Sequence, residues 1–147
     1  MPGDVFRFAF RLEVDMSQTV REWMSSPVIF IDADSTVAHA LTLMRRRNIH
    51  SLMVALSEKD FGIVTSTDIR DKIAGAGRDP KETTVREIMT SPVVCASPEM
   101  SLKDCSLKMQ EAGVHHLPVA DERGMIVGMI SANDIFAAIE EIGWVAL

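Results

Sequence analysis

The amino-acid sequence predicts an α/β (α+β) fold made of two β-α-β-β-α repeats, packed through their sheets with pseudo-twofold symmetry. Three observations predict it. First, the chain repeats itself: VREWMSSPV at 20–28 returns as VREIMTSPV at 85–93, NIHSLMVA at 48–55 as GVHHLPVA at 113–120, and FGIVTSTDI at 61–69 as IVGMISANDI at 126–135. The offset stays at about 65 residues through all three segments, one inserted residue aside, and shared composition bias does not hold a register over that distance. Second, each copy alternates short apolar runs with one stripe at helical spacing, which is the pattern of strands interleaved with helices. Third, a copy of about 55 residues has too small an interior to stand alone comfortably, so the two sheets should pack together.

Each copy opens on a helical turn, 19–24 or 84–89, that runs into Ser-Pro, and the proline holds its predecessor extended. The apolar runs at 28–31 and 93–96 follow as a short strand. Asp34, Ser35 and Thr36, like Ser97, Pro98 and Ser101, are residues that start helices. Val37, Leu41 and Met44 recur at i, i+4 and i+7 as an inner stripe, with Arg45, Arg46 and Arg47 on the outer face; Leu102, Cys105, Met109 and Ala112 are its counterpart. Asn48 and Gly113, tolerant of left-handed geometry, close these helices. Two strands come next, at 52–56 and 62–64 and again at 117–120 and 126–130, with DERG at 121–124 suited to a hairpin. The last helices start near Thr67 and Asn133 and end at GAGRDP, 75–80, and at Gly143. The organisation is therefore an N-terminal extension at 1–15, a first repeat at 16–74, a linker at 75–83, a second repeat at 84–142 and a tail at 143–147.

Composition excludes several function classes. Hydrophobic residues at 47% and charged residues at 24% are the balance of a folded chain, which rules out bulk disorder. Fifteen Lys and Arg against 21 Asp and Glu leave a formal charge of -6, which argues against a nucleic-acid partner. No apolar stretch approaches the roughly 18 residues that cross a bilayer, and MPGDVFRFAFRLEVD carries acids within any would-be signal core. Cys95 and Cys105 show no metal-ligand or CxxC spacing, which points to a reducing compartment and no zinc. A cytoplasmic protein without membrane or metal is expected.

The strongest chemical candidate is GIVTSTD at 62–68 with its echo GMISAND at 128–134. In both, a glycine-led strand ends in a hydroxyl residue, Thr65 or Ser131, and an aspartate, Asp68 or Asp134, follows three positions later at a helix start. A carboxylate there can accept both hydrogens of a vicinal diol such as that of ribose, and a helix start favours an anion. The competing reading makes the same residues an N-cap and its capping-box partner, with structural work only. The second candidate is the strand start, Ile49 and His50 in one copy and Val114, His115 and His116 in the other, where imidazoles could donate to phosphate oxygens or stay half-buried as structural residues. His115 with His116 does not make a metal pair, because neighbouring strand side chains point to opposite faces. Three successive arginines cannot all face one pocket. GAGR at 75–78 lacks the preceding strand of a dinucleotide fingerprint and reads as flexible linker. The methionines read as core filler. No nucleophile–base or paired-carboxylate arrangement recurs, so no enzyme is expected.

The duplicated SPV segment, the HxLPV-like strand and the glycine-hydroxyl-x-x-Asp corner, in that order and twice over residues 20–142, resemble a tandem pair of CBS domains, the Bateman module. The resemblance implies repeats associated through their sheets, with clefts between them that sense adenosine-containing ligands: AMP, ADP or ATP, or else S-adenosylmethionine or NAD. It implies that Asp68 and Asp134 hold ribose hydroxyls beside Thr65 and Ser131. Ile49, His50, Val114 and His115 would then approach base and phosphates near His116 and Pro118, and Ile29 and Val94 would flank adenine. Two departures bear on this. Met53 stands where the second copy has Pro118, and neither corner has an arginine before its aspartate, as many phosphate-binding members do. A homodimer and a regulated partner protein are implied by the same likeness, with no cofactor required and the nucleotide acting as regulatory ligand. The alternative class is a ligand-independent interaction or dimerisation scaffold, suggested by the missing arginines and by the apolar segments 5–10 and 144–147.

Overall fold

The computed structural model describes residues 18–142, so the expectations for the N-terminal extension, the C-terminal tail and the helix end at Gly143 lie outside the described residues. In chain order the elements are α1 (Val20–Trp23), β1 (Phe30–Asp32), α2 (Val37–Arg47), β2 (Ser51–Ala55), β3 (Phe61–Thr65) and α3 (Ser66–Ile69). A π-helical turn (Arg70–Ala74) continues α3, followed by α4 (Val85–Ile88), α5 (Leu102–Ala112), β4 (His116–Ala120), β5 (Ile126–Ser131) and α6 (Ala132–Ile142). The chain forms two compact units, residues 27–93 and residues 18–26 with 94–142.

In the unit of residues 27–93, β2 lies between β1, to which it runs parallel, and β3, to which it runs antiparallel, with Ser51 opposite Thr65. Ile31, Val37, Ala40, Met44, Leu52, Val54, Val64, Val85 and Ile88 share one core. Ala40 is fully buried while Leu41 is only half-buried, so the inner stripe is rotated slightly from the expected one. Arg45, Arg46 and Arg47 are exposed as expected. Asn48 closes α2 at φ 52° and Gly113 closes α5 at φ 66°, the left-handed geometry anticipated for both.

The other unit is built alike around Val20, Ala96, Leu102, Cys105, Met109, Leu117, Val119, Ile130, Ile135 and Ala138, whereas Ala112, expected in its stripe, is exposed. Its sheet has two strands, β4 antiparallel to β5, with His116 opposite Ser131. The strand expected at 93–96 does not form; a single parallel bridge, Ala96 to Val119, remains. The reason is Pro118. In the first copy the Met53 N–H donates to the Ile29 carbonyl at 3.0 Å, and proline at the matching position has no N–H to give.

Each opening turn packs in the unit of the other copy. Val20 and Arg21 donate their backbone N–H groups to the carbonyls of Met100 and Pro98, both at 2.9 Å, which satisfies the free donors at the start of α1. Val85 and Arg86 do the same to Ser35 at 2.8 Å and Ala33 at 2.9 Å. Arg21 pairs with Glu99 and Arg86 with Asp34. Ser25 bridges to Met129, and Thr90 to Ile63. Gly62 and Gly128 make room for this exchange. A Cβ on Gly128 would sit 2.5 Å from Met24 Sδ and 3.0 Å from the Ser25 carbonyl, and one on Gly62 would sit 2.7 Å from Met89 Sδ.

The expected flexible linker is instead tied down. The carbonyls of Thr83 and Pro80 accept the Val37 and Ala38 N–H groups at 2.9 and 3.0 Å, Thr83 is buried, and Arg78 pairs with Glu87. These residues cap the start of α2, where Thr36 also takes the His39 N–H.

Replacement of Gly128 by Ala should destabilise the protein by about 1–3 kcal/mol, because the new methyl overpacks the Met24 contact. In urea denaturation the cost should shrink in a Met24→Ala background, giving a measurable coupling energy. Equal costs in both backgrounds would show that the methionine is not the obstacle.

Candidate functional site

Both strand-to-helix corners adopt one geometry. At the first, Thr65 caps α3: the Asp68 N–H donates to Thr65 Oγ1 at 3.3 Å, while Asp68 Oδ2 accepts the Thr65 N–H at 3.0 Å and its hydroxyl at 3.3 Å. At the second, the Asp134 N–H donates to Ser131 Oγ at 3.3 Å, and Asp134 Oδ2 accepts the Ser131 N–H at 2.8 Å and its hydroxyl at 3.1 Å. Two otherwise unsatisfied donors are met reciprocally, so the capping-box reading of these residues holds in both copies. One oxygen of each carboxylate is thereby committed.

The other oxygen differs. Asp68 Oδ1 accepts from Lys72 Nζ at 3.0 Å, and the same ammonium donates to the Ile88 carbonyl at 2.8 Å. Asp68 is 8% exposed. Asp134 is half-buried, and among the described residues no donor reaches its Oδ1. Lys72 was absent from the candidates read in the sequence. The available signal was a lysine four residues after Asp68, where the second copy has only alanines.

The strand-start residues gather elsewhere. Leu41, Met44, Arg45, Asn48, Ile49, His50, Ser66, Ile69 and Arg70 line a cavity of about 560 Å³ between α2 and the start of α3. A cavity of about 320 Å³ in the other unit uses the matching positions, among them Met109, Gln110, Val114, His115, Ala132, Ile135 and Phe136. Thr65, Asp68, Ser131 and Asp134 line neither. Backbone joins the two features: the His50 carbonyl accepts the Ser66 N–H at 3.0 Å and its hydroxyl at 3.1 Å, and the His115 carbonyl accepts the Ala132 N–H at 2.9 Å. His50 and His115 are exposed, and His116 is half-buried in β4. Ile29 is half-buried, Val94 is exposed and Pro118 is buried in β4. Among the described residues no group of three or more His, Cys, Asp or Glu could hold a metal ion, and no helix is long and apolar enough to cross a membrane.

Two similarly built units, the second lacking the first strand, with reciprocally exchanged opening turns and duplicated carboxylate corners define a tandem-repeat module. The CBS domain family model matches residues 20–75 and 85–141, and the chain belongs to that family. A CBS domain-containing protein of Bacillus subtilis, YhcV, is 29% identical over 80% of this chain and 82% of its own length. An uncharacterized protein of Methanopyrus kandleri is 30% identical over 81% of this chain, which spans 61% of that relative, and about a quarter (24%) of a similar homoserine O-acetyltransferase of Methanohalophilus mahii. Among solved structures, a putative signal-transduction protein with CBS domains from Burkholderia ambifaria is 32% identical with a TM-score of 0.76, over 84% of this chain and 96% of that one. The CBS domain pair of protein MJ0100, solved in complex with 5-methylthioadenosine and S-adenosyl-L-methionine, is 25% identical with a TM-score of 0.74, over 84% of this chain and 96% of that one.

Cys105 is buried in the core that also holds Ile135 of α6. Burial pushes its thiol up to about 11; Lys108 opposes the shift and Asp134 reinforces it. Burial likewise raises the Cys95 thiol. With an ordinary thiol value of 9.0, the folded chain holds a proton that the unfolded chain has released between pH 9.0 and about 11, so stability falls as pH rises through that window. Urea titrations across it should show the loss, and Cys105→Ala should flatten the slope. An unchanged slope in the variant would assign the alkaline loss to other groups.

Proposed function

We propose that the chain is a regulatory ligand-binding module that takes an adenosine-containing nucleotide, AMP, ADP or ATP, at its strand-to-helix corners and relays occupancy to a partner protein. The observation that carries this reading is the recurrence of one carboxylate corner in both copies, with Asp134 Oδ1 on a partly exposed side chain reached by no donor among the described residues. Ribose hydroxyls donate to such an oxygen, and in this reading the apolar Ile29, Ile49, Val94 and Val114 would flank adenine. In this reading His50 and His115 would serve the phosphates, in the absence of an arginine before either aspartate. The adenosine-containing ligands of the MJ0100 domain pair support the ligand class.

The relay would run through the exchange. β3 and β5 end at the corners, and Ile63 and Met129 within them bridge to Thr90 and Ser25 of the crossing segments. A ligand that tightens a corner therefore acts on a strand to which the other copy's segment is hydrogen-bonded, a contiguous route for a shift in population. Isothermal calorimetry with AMP, ADP and ATP, and with S-adenosylmethionine as comparator, should detect binding below about 1 mM. Absence of heat with every ligand, on protein shown to be folded, would overturn the reading.

A ligand-independent homodimerisation scaffold is the second reading, favoured by Leu107, Phe136 and Ile139, which stand 47%, 62% and 37% exposed on α5 and α6. Apolar side chains of this size gathered on two helices suit association with a second copy. Phe136→Asp should then convert the dimer to monomer in light scattering, and Asp68→Ala with Asp134→Ala should leave association unchanged; an unaltered mass for Phe136→Asp would sink this reading.

A further inference from the structure

The two corners share their cap but not their availability, and Lys72 accounts for the difference. The first carboxylate is met on both oxygens: Thr65 occupies Oδ2, and Lys72 Nζ occupies Oδ1 at 3.0 Å. The ammonium is fixed at its other side by the Ile88 carbonyl at 2.8 Å, so it spans from the corner to α4, the turn that arrives from the second copy. Asp68 is 8% exposed beneath it.

The π-helical turn Arg70–Ala74 is part of this arrangement. It takes up one more residue than an α-helical turn: the Gly75 N–H donates to the Arg70 carbonyl at 2.8 Å, five positions back. Lys72 stands inside this widened turn. In the second copy α6 runs from Ala132 to Ile142 without such a turn, and the positions three and four residues beyond Asp134 are Ala137 and Ala138. Neither of these positions offers Asp134 an amine.

We infer that Lys72 is a specificity-determining residue that closes the first corner to a ligand diol, leaving Ser131 and Asp134 as the primary binding corner of the chain. A diol that approaches Asp68 must displace a charged donor from a carboxylate and from a backbone carbonyl at once, and stripping one partner from a partly buried pair is costly. A diol that approaches Asp134 Oδ1 displaces no donor of the described residues. The inference rests on the adenosine-binding reading and refines it to one corner and one controlling side chain.

Calorimetry with AMP on the full chain tests it. Wild-type protein should bind about one equivalent, and Asp134→Asn should weaken binding by about tenfold or more. Lys72→Met, which keeps the apolar stem and removes the charge, should raise the stoichiometry toward about two. Should that variant fail to fold in a thermal melt, Ala137→Lys carries the test: position 137 is exposed, and an amine there should weaken AMP binding by about tenfold. Two equivalents in wild-type protein, with one surviving Asp134→Asn, would overturn the role of Lys72 while leaving adenosine binding intact. No binding by any folded form would overturn both. A purely structural lysine would change the melting temperature without moving the stoichiometry.

Discussion

Neither unit closes its core with its own repeat. Val20 of α1 is fully buried among residues of the second copy, and Val85 and Ile88 of α4 are buried among residues of the first. Side chains of this size contribute about 1.5–3 kcal/mol each when fully buried, so the exchanged turns are a substantial share of each small core. Their backbone donors are met by carbonyls of the receiving copy, and their methionines fill the space that Gly62 and Gly128 leave open. The glycines that lead each corner motif therefore serve the crossing segment, and the corner inherits its position from a strand held on both edges.

The corner itself shows how one residue pattern can serve structure and still leave room for recognition. A capping box uses one carboxylate oxygen and one hydroxyl to close a helix start, and the second oxygen is left over. In the first copy that oxygen is met within the protein by an ammonium; in the second no donor among the described residues reaches it. Divergence between the copies has thus changed what surrounds the motif and kept the motif. The cavities beside the corners diverge in the same manner: Arg45 and Arg70 in one are replaced by Gln110 and Phe136 in the other.

Much of this was legible in the sequence, for identifiable reasons. Period and offset located every α-helix among the described residues and the paired strands β2–β3 and β4–β5, because alternation and capping residues are local signals. Asn48 and Gly113 were legible because left-handed backbone selects residue type. The strand at 93–96 failed because a proline in the partner strand removed the donor it needed, an effect felt across the sheet and invisible within the run itself. The exchange of opening turns was equally hidden: VREWM and VREIM look the same whichever copy they pack on. GAGRDPKET carries every composition cue of a free linker, yet two of its carbonyls, those of Pro80 and Thr83, are taken by the start of α2. Lys72 escaped notice because comparison of the copies rewards what recurs, and its importance lies in not recurring.

The exchange also imposes an order of events on a chain made from its N-terminus. The turn at Val20–Trp23 emerges early, but the residues that receive it, Pro98 and Met100 and the strand around Met129, come only after the whole of 27–93 has been synthesised. That intervening segment, by contrast, holds everything its own core requires once Ile88 and Thr90 have appeared. Residues 27–93 can therefore mature while the turn at Val20–Trp23 still waits for its receiving residues, and a fragment ending near residue 93 would hold one finished lobe preceded by an unclaimed turn.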